Sequence, residues 1–385
     1  MEKVALLKCT DYDVNNIEKK LRDGFELLGG TSFLRNLIPE NSKVLLKPNF
    51  LSVIEAGSPV ITHYAIFEAV IRIVKEYSDN IIFGDSPGSG DTKKAAEKSG
   101  LMAVADRYGV GFVDFNEASH VELKNPLMYK FWNVATAAYE ADVVITLPKL
   151  KTHAMMYYTG AVKNQFGCIP GSQKAAWHTK LPDAVNFSKM LLDLNSVVKT
   201  SFAILDGIVA MEGNGPRNGT PRKMDTIIMG KCLTAVDSIA VRLIGYDNVL
   251  AVPFLKVAYD TKWGAVMPEE IEVLGERLEE MKCKHFKLSR SAKVINFISP
   301  SLNNFLASLV APNPVLIEEK CIGCKKCDEV CPRRPKVISF IKHNNKVIPK
   351  WNYSNCIRCF CCQELCPKGA IVAKDKRLSK ILGLK

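Results

Sequence analysis

The chain has 385 residues, 47% hydrophobic and 24% charged, which supports more than one core and excludes a disordered chain. No run of about 18 apolar residues occurs, so no membrane-spanning helix is expected. The start, MEKVALLKCTDYD, reads as a first strand and not as a signal peptide. A cytoplasmic protein is therefore expected, in a compartment where clustered thiols bind metal more often than they pair as disulfides. The formal charge of +12 is uneven, because residues 315–385 carry 16 Lys+Arg against 6 Asp+Glu. A basic end can serve a nucleic acid or an acidic partner, but these cations lack the interleaved aromatics of single-strand binders, which argues against nucleic acid.

Strand and helix patterns alternate in chain order. VALLKC (4–9) is followed by a helical stretch over 15–28, then by the strand VLLKPNF (44–50) and the helix HYAIFEAVIRIVKEY (63–77). NIIFGDSPG (80–88) is a strand running into a turn, followed by a helix from near Asp91, GFVDF (111–115), a helix ending near Glu140, and ADVVITLPKL (141–150). SFAILDGIV (201–209), TIIMG (226–230) and the helical TAVDSIAVRLIGY (234–246) continue the rhythm. Such alternation predicts an α/β fold, a mostly parallel sheet flanked by helices, with its site outside the carboxyl ends of the strands.

The expected organisation is an α/β domain over 1–283, a connector with short helices over 284–314, a small α+β cysteine-rich domain over 315–375 and a basic tail over 376–385. An amphipathic part of the connector would pack on the main domain or touch a membrane surface.

Nine of the thirteen cysteines fall between 321 and 366. Two runs share one spacing: Cys321, Cys324, Cys327 and Cys331-Pro332, then Cys356, Cys359, Cys362 and Cys366-Pro367. Zinc favours CxxC pairs separated by a long spacer, and neither run has the CxxxCxxC of radical enzymes. The runs resemble the bacterial-type dicluster ferredoxin domain, although CPRRPKVI departs from the CPKGAI that ends the second run. That resemblance implies two [4Fe–4S] clusters with an exchanged fourth ligand. One set is Cys321, Cys324, Cys327 and Cys366; the other is Cys356, Cys359, Cys362 and Cys331. Cys361 breaks the spacing and is expected to be a non-ligand thiol.

Three stretches put charge beside predicted strand ends: LLKPNF with Lys47 and Asn49, PKLKTH with Lys149, Lys151 and His153, and DGIVAMEGNGPRNG with Asp206, Glu212 and Arg217. TGAVKNQFGC adds Lys163 and Asn164. Cations, amides and flexible backbone donors together make an anion site. Each residue also has a structural alternative, as a surface charge or a turn cap, and His63 is expected to be a cap of the helix it precedes or a surface residue. GDSPGSGD and GNGPRNG match neither standard nucleotide fingerprint.

KPN, GDSPG, PKLKTH, GAVKNQFGCIPG, DGIVAMEGNGP and AVDSIAVRLIG, in this order, resemble the DUF362 family of iron–sulfur-associated proteins over about residues 30–250. The resemblance implies this architecture and a ferredoxin domain at this end; it implies no particular reaction. Two functions compete. In the first, an iron–sulfur oxidoreductase holds an anionic small molecule on Lys47, Asn49, Lys149, Lys151, Lys163, Asn164 and Arg217. His153 is then the general acid, with Glu212 or Asp206 its complement. In the second, a non-catalytic relay or assembly protein docks on a redox partner such as a flavodoxin, ferredoxin or reductase.

Overall fold

The computed structural model describes residues 1–171, 173–181, 183–289, 312–344 and 346–374. In chain order the strands of the large domain are β1 (Glu2–Lys8), β2 (Val44–Lys47), β3 (Ile81–Phe83), β4 (Gly111–Phe112), β5 (Ala118–Glu122), β6 (Phe131–Ala135), β7 (Val143–Thr146), β8 (Lys149–His153), β9 (Tyr157–Thr159), β10 (Phe202–Glu212), β11 (Thr220–Gly230) and β12 (Ile271–Gly275). Ten of them form one sheet in the order β12-β1-β11-β10-β7-β2-β3-β4, with β8 beside β10 and β9 beside β8. Pairing is parallel through β10-β7-β2-β3-β4, between β1 and β12 and between β8 and β10. It is antiparallel for β11 with β1 and β10, and for β8 with β9.

The expected α/β class holds, and two departures have physical causes. β10 and β11 form a long antiparallel hairpin, and GNGPRNG is its tip. β10 is buried almost throughout, so its apolar run reports burial but not strand direction. A second hairpin, β5 with β6, fills the stretch before the helical turn Thr136–Tyr139.

Period-two alternation sends Val4, Leu6, Leu45 and Val144 to one face of the sheet, and Ala5, Leu7, Val44, Leu46 and Ile145 to the other. Each face is covered by helices. Helix Val14–Leu28 starts where the Asp13 side chain accepts from the Asn16 N–H and stops at Gly29, whose φ of 127° suits glycine. Helix Tyr64–Val74 starts where His63 Nδ1 accepts from the Ala65 N–H, so His63 is the expected cap.

The cysteine-rich module contains β13 (Asn313–Leu316) paired antiparallel with β16 (Ile371–Lys374), and the hairpin β14 (Ile338–His343) with β15 (Lys346–Trp351). Each cysteine run holds one helical turn, Lys326–Glu329 and Cys361–Glu364. β13 begins inside the segment expected as connector. The short helices expected there, over 290–311, and the basic tail lie outside the described residues.

Candidate functional site

The chain leaves the sheet at the carboxyl ends of β2, β3 and β7 carrying Lys47, the GDSPG turn and PKLKTH. Lys47 is fully buried and pairs with Asp85 Oδ1 at 2.8 Å, while Asp85 Oδ2 accepts from the Phe50 N–H at 2.8 Å. A Cβ on Gly167 would lie 1.8 Å from Asp85 Oδ1, so only glycine lets GAVKNQFGC approach this pair. Asn164 then reaches Asn49, whose Nδ2 donates to Asn164 Oδ1 at 2.9 Å. Lys151 Nζ donates to Asn49 Oδ1 and to the Val60 carbonyl, both at 2.7 Å. The AVDSIAVRLIG motif supports the same segment: buried Asp237 accepts from the N–H groups of Ala161 and Val162 and from the Tyr158 hydroxyl, at 2.7–2.9 Å.

These loops form one wall of a cavity of about 400 Å³, and the cysteine-rich module forms the other. The large domain contributes Asn49, Asp85, Ser86, Lys163, Asn164, Lys174 and His178; the module contributes Lys326, Glu329, Val330, Cys361, Glu364 and Leu365. A smaller chamber behind it is lined by Lys149, Lys151, Lys163, Asn164 and Glu364. Lys163 stands between the two, half-buried, with a ring contact to Phe166 but no hydrogen bond among the described residues. Burial lowers its pKa, and the nearby Glu364 carboxylate and Cys361 oppose that. Lys174 donates to Ser86 Oγ at 2.6 Å and to the Ile169 carbonyl at 2.8 Å, and burial pushes its pKa down to about 8. Burial with Lys163 beside it takes Lys151 down to about 7.

His153 lies just behind this wall, 1% exposed. Its Nδ1 accepts from the N–H groups of Met155 and Met156, at 3.0 and 3.1 Å. The proton of the neutral ring is therefore on Nε2, which has no hydrogen-bond partner among the described residues and lies 3.8 Å from Glu364 Oε2 of the module. Burial, Lys163, His178 and Lys151 hold its pKa well below the ordinary histidine value. Protonating Nδ1 would also displace both backbone donors.

Of the predicted residues, Asn49, Lys149, Lys151, Lys163 and Asn164 line the cavities, whereas Lys47, His153, Asp206, Glu212 and Arg217 are not among the described lining residues. Three of these residues have structural partners. Asp206 is filled by Lys149 Nζ (2.7 Å), Tyr12 Oη (2.9 Å) and the N–H groups of His63 and Ile208. Glu212 accepts from the Lys287 N–H at 2.9 Å at the end of β10. Arg217 donates to Ser52 Oγ at 2.9 Å. Asp85, Lys174, Glu364 and Cys361 are among the lining residues that sequence reasoning missed; GDSPG was the available signal for the first.

In the module, one void is ringed by Cys321, Cys324, Cys327 and Cys366, and a second by Cys331, Cys356, Cys359 and Cys362. Cys361 lines neither void and faces the 400 Å³ cavity. Among the described residues no three His, Cys, Asp or Glu side chains gather closely enough for a single metal ion; the thiols surround spaces. No helix among the described residues is long and apolar enough to cross a membrane.

Residues 313–367 match the 4Fe-4S dicluster domain. A thylakoid-associated protein of Synechocystis sp. is 34% identical over 248 residues, 64% of this chain and 76% of that protein. The lactate racemase apoprotein from Thermoanaerobacterium thermosaccharolyticum aligns over 55% of this chain and 51% of its own, at 14% identity and a TM-score of 0.38. A protein from Thermotoga maritima aligns over 54% and 53%, at 12% identity and a TM-score of 0.35. The chain thus spans about half the length of each of these two structures. Residues 44–242, just over half the chain, match the domain of unknown function DUF362, and the chain belongs to that family.

Proposed function

We propose that this chain is an iron–sulfur electron-transfer protein that delivers electrons to an organic anion held between its large domain and its cysteine-rich module. The observation that carries this reading is the shared wall: the helical turn Cys361–Glu364 faces Lys163 and Lys174 across the cavity. Cys362 within that turn, and Cys359 and Cys366 on either side of it, belong to the two thiol-ringed voids. Four thiols around each void, three from one run and the fourth from the other, suit two [4Fe–4S] clusters. When bound, such clusters supply one-electron transfer.

The large domain's residues supply binding and position. Lys163, free of hydrogen-bond partners among the described residues, and Lys174, aimed by Ser86, hold the anion; Asn49 and Asn164 fix the inner wall. His153 acts as a neutral Nε2–H donor, because its Nδ1 is occupied by two N–H groups. The ammonium of Lys151, with its pKa lowered to about 7, is the better proton source on the inner side. Electrons enter where Cys324 and Ile322 are exposed, from a redox partner such as a flavodoxin, ferredoxin or reductase. The reducing cytoplasm is the compartment that keeps these thiols available.

The test is anaerobic purification with iron and sulfide analysis, and mass spectrometry of the small molecules that stay bound. About eight irons per chain and a stoichiometric organic anion are expected, with the anion lost from K163A/K174A at unchanged iron. An anion retained equally by both proteins contradicts the cavity assignment.

A further inference from the structure

The glycine-rich tip of the β10–β11 hairpin, GNGPRNG, reaches the smaller chamber only through Pro216, and it touches the module directly. Asn218 Nδ2 donates to the Gln363 carbonyl at 2.9 Å, and Gln363 Nε2 donates to the Gly215 carbonyl at 3.2 Å and to Asn214 Oδ1. Gln363 is 1% exposed. On the other side of the Cys366-Pro367 step, a Cβ on Gly369 would sit 2.9 Å from Asn218 Oδ1, so the two backbones meet closely there as well. Arg217 lies within this contact. Its guanidinium is tied to Ser52 and has no carboxylate within ion-pair distance among the described residues. Burial lowers its pKa, and the negative groups that oppose this are Cys366 and Glu364.

We propose that Arg217 is a fixed positive charge by which the large domain raises the reduction potential of the cluster held by Cys321, Cys324, Cys327 and Cys366. This rests on the two-cluster reading above. Reduction adds one negative charge to the cluster, and a nearby half-buried cation that cannot be paired off stabilises that form. Arg334 and Lys336, which donate to the Cys331 carbonyl, and Arg358, which donates to that of Cys356, are cations of the module itself. Arg217 differs in coming from the large domain, so this midpoint depends on docking.

Anaerobic potentiometric titration of the full chain, followed by EPR, tests the proposal. Relative to wild type, Arg217→Gln is expected to move one midpoint to more negative potential, the other by less, with iron content unchanged. Arg217→Lys is expected to restore most of the shift. Arg277→Gln, which removes an exposed arginine paired with Glu280, is expected to leave both midpoints in place. Wild-type midpoints in R217Q, or equal shifts in R217Q and R277Q, overturn the assignment. Should R217Q lose iron, Ser52→Ala frees the guanidinium without removing it; an unchanged midpoint there also overturns it. A wild-type chain without eight irons fails the cluster reading instead, which keeps the two failures distinct.

Discussion

Asp206→Asn separates a structural brace from a catalytic carboxylate. In the native chain Lys149 and Asp206 form an ion pair at 2.7 Å with side chains 1% and 0% exposed. The substitution keeps size but leaves the Lys149 ammonium buried with only the Tyr12 hydroxyl at 2.8 Å. Stranding one member of a buried pair costs about 3–5 kcal/mol. Lys149 can escape by losing its proton, which from an ordinary pKa near 10.4 costs about 4.6 kcal/mol at pH 7 and about 2 kcal/mol at pH 9. The penalty is therefore expected at about 3–5 kcal/mol near pH 7 and about half that near pH 9. Lys149→Met with Asp206→Asn removes the stranded charge and is expected to recover most of the loss. Urea unfolding followed by the fluorescence of Trp132, Trp177 and Trp263 measures these terms. A D206N protein within about 1 kcal/mol of wild type at pH 7, or a penalty that does not fall as pH rises, refutes the brace.

The remaining predictions concern the module and the inner chamber. Cys361→Ser is expected to keep full iron, whereas Cys362→Ser is expected to lose about four irons per chain; the reverse result would exchange their roles. Gln363→Ala leaves the Gly215 carbonyl and Asn214 Oδ1 without their donor, at about 1–3 kcal/mol of docking stability. Cys361, 6% exposed in the docked chain, is then expected to alkylate faster with iodoacetamide, and an unchanged rate counts against the contact. Burial takes Lys151 from an ordinary value near 10.5 to about 7. Between those values the unfolded chain binds one proton more than the folded one, so its contribution to stability rises with pH by up to about 1.4 kcal/mol per unit. Lys151→Met is expected to remove that contribution, and parallel pH profiles of variant and wild type would exclude it.

How much of this was legible in the sequence depends on whether a feature is local. The two cysteine runs show in spacings of two and three residues, so the chain order displays them, while the exchange of the fourth cysteine is what the ferredoxin resemblance implies. Lys149, Lys151 and Lys163 follow strands in the sequence, and the fold brings them to the walls of the two cavities. Asp85, Lys174 and Glu364 meet only because three distant segments converge, and no local pattern marks that. Asp206, Glu212 and Arg217 show the converse. A charge beside a strand end reads the same whether it faces a ligand, completes a buried pair or holds a loop. The direction of β11 was hidden for a similar reason, since a buried apolar run carries no sign of its partner's orientation. The cavity's second wall also belongs to a module that sequence spacing could place in the chain but not on the sheet.

Reoxidation of the reduced protein tests the central claim most directly. The full chain, reduced anaerobically and freed of excess reductant, is mixed with fractions of an anionic metabolite pool while the visible absorbance of its iron–sulfur centres is followed. Wild type is expected to be reoxidised by a particular fraction, with K163A/K174A, at equal iron content, much slower with that fraction alone. Equal reoxidation of both proteins by every fraction would contradict delivery of electrons into this cavity.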